Sequence, residues 1–387
     1  MNHGNKTNRL VQMSLKVKIW RLILKIEKKL KKIGIKETKE FTKEEKRIVA
    51  CNVTNSLIVA FSILKNDEQQ ILDKIQNANM FWAQTEKNLP KVNYFYENHK
   101  IYFNESIDIN KTNDAMIHEI IHFLQDVRKK NGKLDKIGLC NFNELSLHGL
   151  GINEGAVQYI SSKAVNKNIQ TINKNEIILR TISPEYYPIL TNLMEQIVFL
   201  IGENELVKAI ILNDDEFEEL FFNTFEENAQ TIINQFDEII NYNVKNNFIK
   251  RGYTEKSSNE KKVTRNYFKK NNTSKNKIEE LKGMYIETQD LIMRTYFEKQ
   301  YKLIETEEDV QKLSAKLDKY IEFTGKVKVN DYYYNNSENY KSNFMNKLDL
   351  KLIKLHEQRN KMALTVVYGS RINKLINKIK ALFKINT

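Results

Sequence analysis

The sequence predicts an α+β fold that is predominantly helical, and three observations carry that expectation. Three prolines and twelve glycines in 387 residues are too few for a turn-rich all-β chain and favour long helices. Apolar residues recur at three- and four-residue spacing over long stretches, the period of a helix with one buried face. One stretch, KVNYFYENHKIYFNESIDIN (91–110), breaks that period: aromatic and β-branched residues flank ENHK, which predicts a β-hairpin.

Taken in order, residues 14–33 read as a basic amphipathic helix. Its stripe of Leu15, Ile19, Leu22, Ile26, Leu30 and Ile33 runs among lysines. Helices are expected over 43–65 and 67–87, ending near Pro90, with the hairpin next. Asn113 or Asp114 can cap a helix running to about Lys129, which NGKLD ends. The loop LHGLG leads into INEGAVQYISSKAV, where Asn153 is the expected N-cap of a helix over 154–165. SPEYYPILTNLMEQIVFLIG predicts a helix entered through Pro184 and Pro188 and closed by Gly202, with more helix to about 247. Residues 254–277 are polar, Lys/Asn-rich and aperiodic, as in a linker. Helical patterns return at 278–304, 306–323 and 344–384. The expected organisation is a basic N-terminal arm (1–47), a central domain (48–250), a linker (251–277) and a helical C-terminal region with a basic tail (278–387).

Composition narrows the class. Hydrophobic content of 41% with 29% charged residues fits a soluble globular chain. Cys51 and Cys140 form no C-x-x-C pair and no disulfide framework, which excludes a cysteine-type structural zinc site and points to a reducing cytoplasm. The apolar residues near the N-terminus are broken by charges every few positions, so neither a secretory h-region nor a membrane span is expected. The net charge of +13 is uneven: Lys16 to Lys32 holds eight Lys/Arg against Glu27, and seven Lys/Arg with no acid follow Glu357. Residues 201–240 instead hold eleven Asp/Glu and the single base Lys208.

The chemistry concentrates in DAMIHEIIHFLQD (114–126). On a helix, residues i and i+4 share a face one turn apart, so His118 and His122 can place two imidazole nitrogens on one ion. Glu119 is rotated by about 100° from His118, so it can reach a water on that ion without being a ligand. This is the physical content of H-E-x-x-H: two zinc ligands and a general base. The alternative is a core helix with two satisfied histidines, although Met116, Ile117, Ile120, Ile121 and Leu124 already supply its apolar surface. Catalytic zinc needs a third protein ligand. Glu144, His148 and Glu154 lie downstream, and Glu154 is best placed: it opens a helix after a glycine-rich loop, and Gly155 leaves room beside it.

HEIIHFLQ followed by GINEGAVQYIS resembles the gluzincin branch of the zinc metallopeptidases, in particular uncharacterised bacterial proteins with an HE-x-x-H … NEG-x-x-x-Y pattern. The resemblance covers roughly residues 70–250. It implies a zincin-like domain, one Zn2+ held by His118, His122 and Glu154, Glu119 as general base, and peptide-bond hydrolysis of a peptide or protein. The 91–110 hairpin would be the substrate-lining edge strand. One departure stands out: many gluzincins carry an acid one turn after the glutamate ligand, and this chain has Gln158, leaving Asp126 as another partner for a histidine. His148, Tyr159, Tyr186 and Tyr187 are candidates for stabilising the developing oxyanion, with His148 and Tyr187 foremost.

Two rival readings remain. One is a non-catalytic zincin-fold scaffold or sensor, which has no need of the intact Glu119. The other is a membrane-surface module with incidental zinc, in which the 14–33 helix and the SRINKLINKIKALFK tail adsorb to an anionic membrane surface as a peripheral protein. Specific nucleic-acid binding is not expected, since no recognised motif is present.

Overall fold

The structure, a computed structural model, describes residues 26–87, 89–130, 132, 134–143, 146–246, 248 and 274–382. Alternating burial builds the first sheet. It comprises β1 (Ile35–Glu40), β2 (Asn79–Thr85), β3 (Val92–Phe95) and β4 (Lys100–Asn104), in the spatial order β1-β2-β4-β3. β2 and β4 run parallel, and the other two pairings are antiparallel. In β4, Ile101 and Phe103 enter the main core while Tyr102 points to the opposite face. There Tyr102 packs with Ala83, Phe95, Ile35, Leu30 and Ile33.

That second face decides what the basic N-terminal stretch does over its described part. Residues 26–33 are helical, and their apolar stripe, Ile26, Leu30 and Ile33, covers the sheet. The lysines are left on the other side, so here the stripe is a structural one. The chain from residue 26 therefore does not stand apart as an arm, and residues 1–25 lie outside the described part.

The helices are α1 (Lys43–Ala60), α2 (Glu68–Gln76), α3 (Asp114–Gln125), α4 (Leu150–Ala164), α5 (Pro188–Ile201), α6 (Glu203–Ile211), α7 (Glu216–Phe225) and α8 (Ala229–Lys245). They pack on the main-core face, giving an α+β fold that is mostly helical. α1 starts from a capping box in which Thr42 accepts from Glu45 N and Glu45 accepts from Thr42 N. The expected 67–87 helix stops at Gln76, and residues 79–85 become β2. Pairing on both sides, with β1 and β4, outweighs the local helical period.

The C-terminal region contributes α9 (Ser274–Lys302), α10 (Glu307–Ile321) and α11 (Asn336–Leu382). It also adds two short strands that the sequence did not announce, β11 (Lys326–Val329) and β12 (Tyr332–Tyr334). They extend the β9 (Gln170–Lys174)–β10 (Ile177–Thr181) hairpin into a sheet of order β12-β11-β10-β9. Between the two sheets in sequence lie two small ribbons, β5 (Asp126–Arg128) with β6 (Leu134–Ile137) and β7 (Asn141–Asn143) with β8 (Ser146–His148).

Leu281, Tyr285, Phe297, Leu317 and Phe344 belong to the same hydrophobic cluster as α3 and α4. A buried polar network crosses the same junction: Tyr285 donates to Asn192 Oδ1 (2.7 Å), Tyr320 to Gln196 Oε1 (2.8 Å) and Gln196 Nε2 to Gln289 Oε1 (3.2 Å). The expected boundary near 278 thus separates no independent core. The proposed linker lies mostly outside the described residues, and its last residues, from Ser274, already belong to α9. Among the described residues, no helix is long and apolar enough to cross a membrane.

Glu195 on α5 is buried with its Oε1 accepting from Ile182 N (2.8 Å) and Thr181 Oγ1 (3.3 Å), which ties α5 to the end of β10. Burial raises its carboxyl from 4.5 to about 7, against the opposing pull of those two hydrogen bonds. A carboxyl that holds its proton more tightly in the fold adds stability that is complete below pH 4.5 and lost as pH rises through about 7. That difference is on the order of 3 kcal/mol. Glu195→Gln is expected to flatten this part of the profile in urea denaturations run across pH. A variant profile that still follows the wild type would remove Glu195 as its source.

Candidate metal centre

α3 begins at Asn113, whose side chain accepts from Met116 N (3.0 Å). Its apolar residues Met116, Ile117, Ile120, Ile121 and Leu124 are fully buried. That anchors the remaining face, where His118 and His122 lie one turn apart with ring centroids at 4.7 Å. α4 crosses this face, and glycines seat its other sides closely on α5 and α8. A Cβ on Gly155 would stand 3.0 Å from the Leu190 carbonyl, and one on Gly151 would overlap the Phe236 carbonyl. The room beside Glu154 is thus filled by α5.

The expected cap of α4 is different. The helix starts at Leu150 after Gly149, which sits at φ +84. Its open amides are met from α8: Asp237 accepts from Gly149 N (2.8 Å) and Gly151 N (2.7 Å). Asn153 is released from capping and lies buried inside the helix, accepting from Leu139 N (3.1 Å).

Glu154 then comes to the histidines. Its carboxylate oxygens lie 3.3 Å from His118 Nε2 and 3.5 Å from His122 Nε2, and the two Nε2 atoms are 3.0 Å apart. Among the described residues, these three form the one His/Cys/Asp/Glu group compact enough to hold a metal ion. An ion bound tetrahedrally at about 2.0–2.2 Å would space its donors by about 3.3–3.5 Å, so this triangle needs little adjustment to accept one.

The outer nitrogens fix the tautomers. His118 Nδ1 faces Gln158 Oε1 (2.9 Å), and His122 Nδ1 faces Gln125 Oε1 (3.2 Å). Gln158 cannot turn its amide around, because its Nε2 donates to Asp114 Oδ2 (2.9 Å) and Ser162 (2.9 Å). Gln125 is held through Asn153, whose Oδ1 accepts from both Gln125 Nε2 (3.0 Å) and the Leu139 amide. Each imidazole therefore carries its proton on Nδ1 and turns an Nε2 lone pair inward. Two lone pairs and a carboxylate so close together require a positive charge between them, either a proton or a metal ion.

The electrostatics say the same. Burial alone would lower His118, but the hydrogen bond and charge of Glu154 outweigh it and raise the imidazole to about 9. Burial likewise acts to raise Glu154, and both imidazoles overturn that and hold its carboxyl far below the usual carboxylate range. Glu119 differs: burial keeps its carboxyl above the ordinary value despite the neighbouring histidines. Its Oε2 accepts from Tyr94 N (2.7 Å), the outward amide of the outer strand β3.

The other candidates divide. Tyr187, in the left-handed conformation at φ 46, lays its ring over His118 at a centroid distance of 6.2 Å. His148 ends β8 exposed and outside the cluster. Tyr159 is committed to Glu203, and Tyr186 is exposed. Glu144 lies outside the described residues. Asp126, offered as a partner for a histidine of α3, turns instead to Tyr94, Arg128 and His99. The carboxylate behind the site is Asp114, acting through Gln158. Sequence reasoning missed Asp114 and Gln125, yet helical spacing carried a signal for both: they sit four residues before His118 and three after His122. Asn153 and Asp237 had no such signal.

No family model, curated protein or solved structure matches this chain.

Gln158→Leu keeps the size of the side chain and removes the acceptor at His118 Nδ1. Loss of such an outer partner is expected to weaken zinc binding by roughly ten- to a hundredfold in chelator competition. An unchanged affinity would mean that Gln158 does not orient the ring.

Proposed function

We propose that the chain is a zinc-dependent metallopeptidase with a zincin-like centre, in which His118, His122 and Glu154 hold one Zn2+ and Glu119 is the general base. The observation that carries this reading is the inward triangle of two Nε2 atoms and a carboxylate, with a raised carboxyl next in sequence on the same helix. A structural site would have no use for that fourth group.

When bound, the ion supplies Lewis acidity toward a water and toward a carbonyl oxygen. The residues of the chain do the rest. The Tyr94 amide holds Glu119 Oε2, which leaves Oε1 to take a proton from the attacking water. Because burial raises the Glu119 carboxyl, it can keep that proton and pass it to the departing amine nitrogen. Tyr187, stacked over His118, is the phenol we assign to the developing oxyanion. A peptide is the substrate class we assign, supported by the place of β3 as the outer strand of its sheet with the base beside it.

Metal analysis of the protein after incubation with zinc and desalting is expected to give about one ion per chain, as the one three-donor group among the described residues implies. His118→Ala should hold almost none while keeping its helical circular dichroism. A wild type that retains no zinc would end the reading.

Glu119→Gln is expected to keep the ion and the fold yet lose roughly a hundred- to ten-thousandfold in hydrolysis of any peptide the wild type cleaves, the usual contribution of a positioned base. Wild-type turnover in this variant would rule out Glu119 as the base.

A further inference from the structure

The end of α11 is unlike the other helices. Over its first turns Tyr340, Phe344 and Leu348 are buried, and Leu352 and Leu355 still touch the core. His356 and Arg359 reach back to Glu307 on α10 (3.0 and 3.5 Å). Farther on, every side chain from 370 to 378 is exposed, including Ile372 (55%), Leu375 (60%) and Ile376 (43%). The 27 residues from 356 to 382 span about 40 Å at 1.5 Å per residue. Spacing of three and four puts these apolar residues on one side of the helix, with Arg371 and Lys378 along its flank and Lys374 on the far side. Among the described residues, those three cations make no ion pair, and no acid occurs after Glu357.

We propose that this C-terminal segment is a reversible anchor to an anionic lipid surface, with the Ile372–Leu375–Ile376 stripe entering the headgroup boundary and the flanking cations meeting lipid phosphates. Charge decides among the occupants that an exposed apolar stripe could take. A second copy of the segment would bring seven further Lys/Arg against these seven with no acid between them. In the acidic 201–240 region of another copy five of the eleven acids are already paired, and Phe222 is the one large apolar side chain exposed there to meet the stripe. Asp215 and Glu218 hold Lys136, Glu203 holds Lys163, Glu216 holds Lys208, and Glu226 holds Lys299. A nucleic acid would satisfy the cations and leave the apolar stripe in water. An anionic bilayer surface satisfies both, since such helices lie about 5–10 Å into the headgroup boundary. The described part of the N-terminal basic stretch takes no part, because its stripe is spent on the first sheet.

The test uses the full chain and co-sedimentation with two kinds of vesicle: phosphatidylcholine alone, and phosphatidylcholine with about a third phosphatidylglycerol. The wild type is expected to sediment with the anionic vesicles only. Each cation near the surface contributes about fivefold in partitioning, so binding should collapse between 0.1 and 1 M salt as screening shortens from about 10 to 3 Å. Leu375→Asp and the pair Arg371→Glu with Lys378→Glu should each reduce binding at least about tenfold. These side chains are exposed, so the fold and the zinc content should not change. The proposal is overturned by equal binding to both vesicles, by binding to neither, or by variants that sediment like the wild type. It is equally overturned if the variants abolish a dimer seen in sedimentation velocity without lipid, or if Leu375→Asp leaves binding intact while short duplex DNA displaces the protein.

Discussion

Much of this molecule is arranged around an unfavourable contact that it does not relieve by itself. Two imidazole nitrogens and a carboxylate are pressed to within 3.0–3.5 Å of one another in a buried place, with both rings turned so that lone pairs face inward. Left as neutral groups, the two Nε2 atoms would repel. The raised His118 imidazole is the proton-bound answer to that crowding, and a metal ion is the other. The surrounding structure keeps the crowding in place. α3 is anchored by five fully buried side chains, Gly151 and Gly155 let α4 sit close against α8 and α5, and Asp237 clamps α4 to α8.

Behind this contact the polar groups form chains, and the order of each chain matters. The Gln158 amide stands between His118 and Asp114, so the negative charge that would tune the ring acts one group removed. Asp114 is not spent on Gln158 alone, for Ser161 and Lys167 donate to it as well (2.7 and 2.6 Å). His122 relies on a neutral chain that ends at the Leu139 amide. Both rings are oriented by an amide oxygen, but they sit in different fields. On the proposed reading, this replaces the direct carboxylate partner found in many gluzincins.

The same helix serves two surfaces. Asp126, just past the end of α3, takes no part at the centre and instead gathers Arg128, Tyr94 and His99, which fastens the turn between β3 and β4. Tyr94 thus meets α3 twice, through its hydroxyl at Asp126 and through its amide at Glu119. The outer strand and the base are held in register by one residue. The described parts of the basic ends divide in a comparable way: over 26–33 the apolar stripe is covered by the sheet, and over 370–378 it is left bare.

By itself the sequence determined the pieces whose causes are local. The hairpin at 91–110, the Asn113 cap, the break at Gly202 and the three C-terminal helices follow from turn residues, caps and a 3.6-residue period that act within a few positions. The i, i+4 histidines with Glu119 are of the same kind, which is why the centre of the site was legible, and Glu154 was chosen over its neighbours on helix and loop cues alone. The tertiary structure decided whatever depends on partners far along the chain. Residues 79–85 became a strand because β1 and β4 lie on either side, β11 and β12 joined a hairpin some 150 positions earlier in the chain, and Asn153 gave up its capping role because Asp237 arrives from α8. The i, i+4 spacing of Asp114 and His118 could be read from the sequence, but the bridge between them could not, since only the crossing of α3 and α4 puts Gln158 there. Periodicity tells which face of a helix is buried; it does not say what that face will meet, because that contact is set by packing and by burial of polar groups across the whole core.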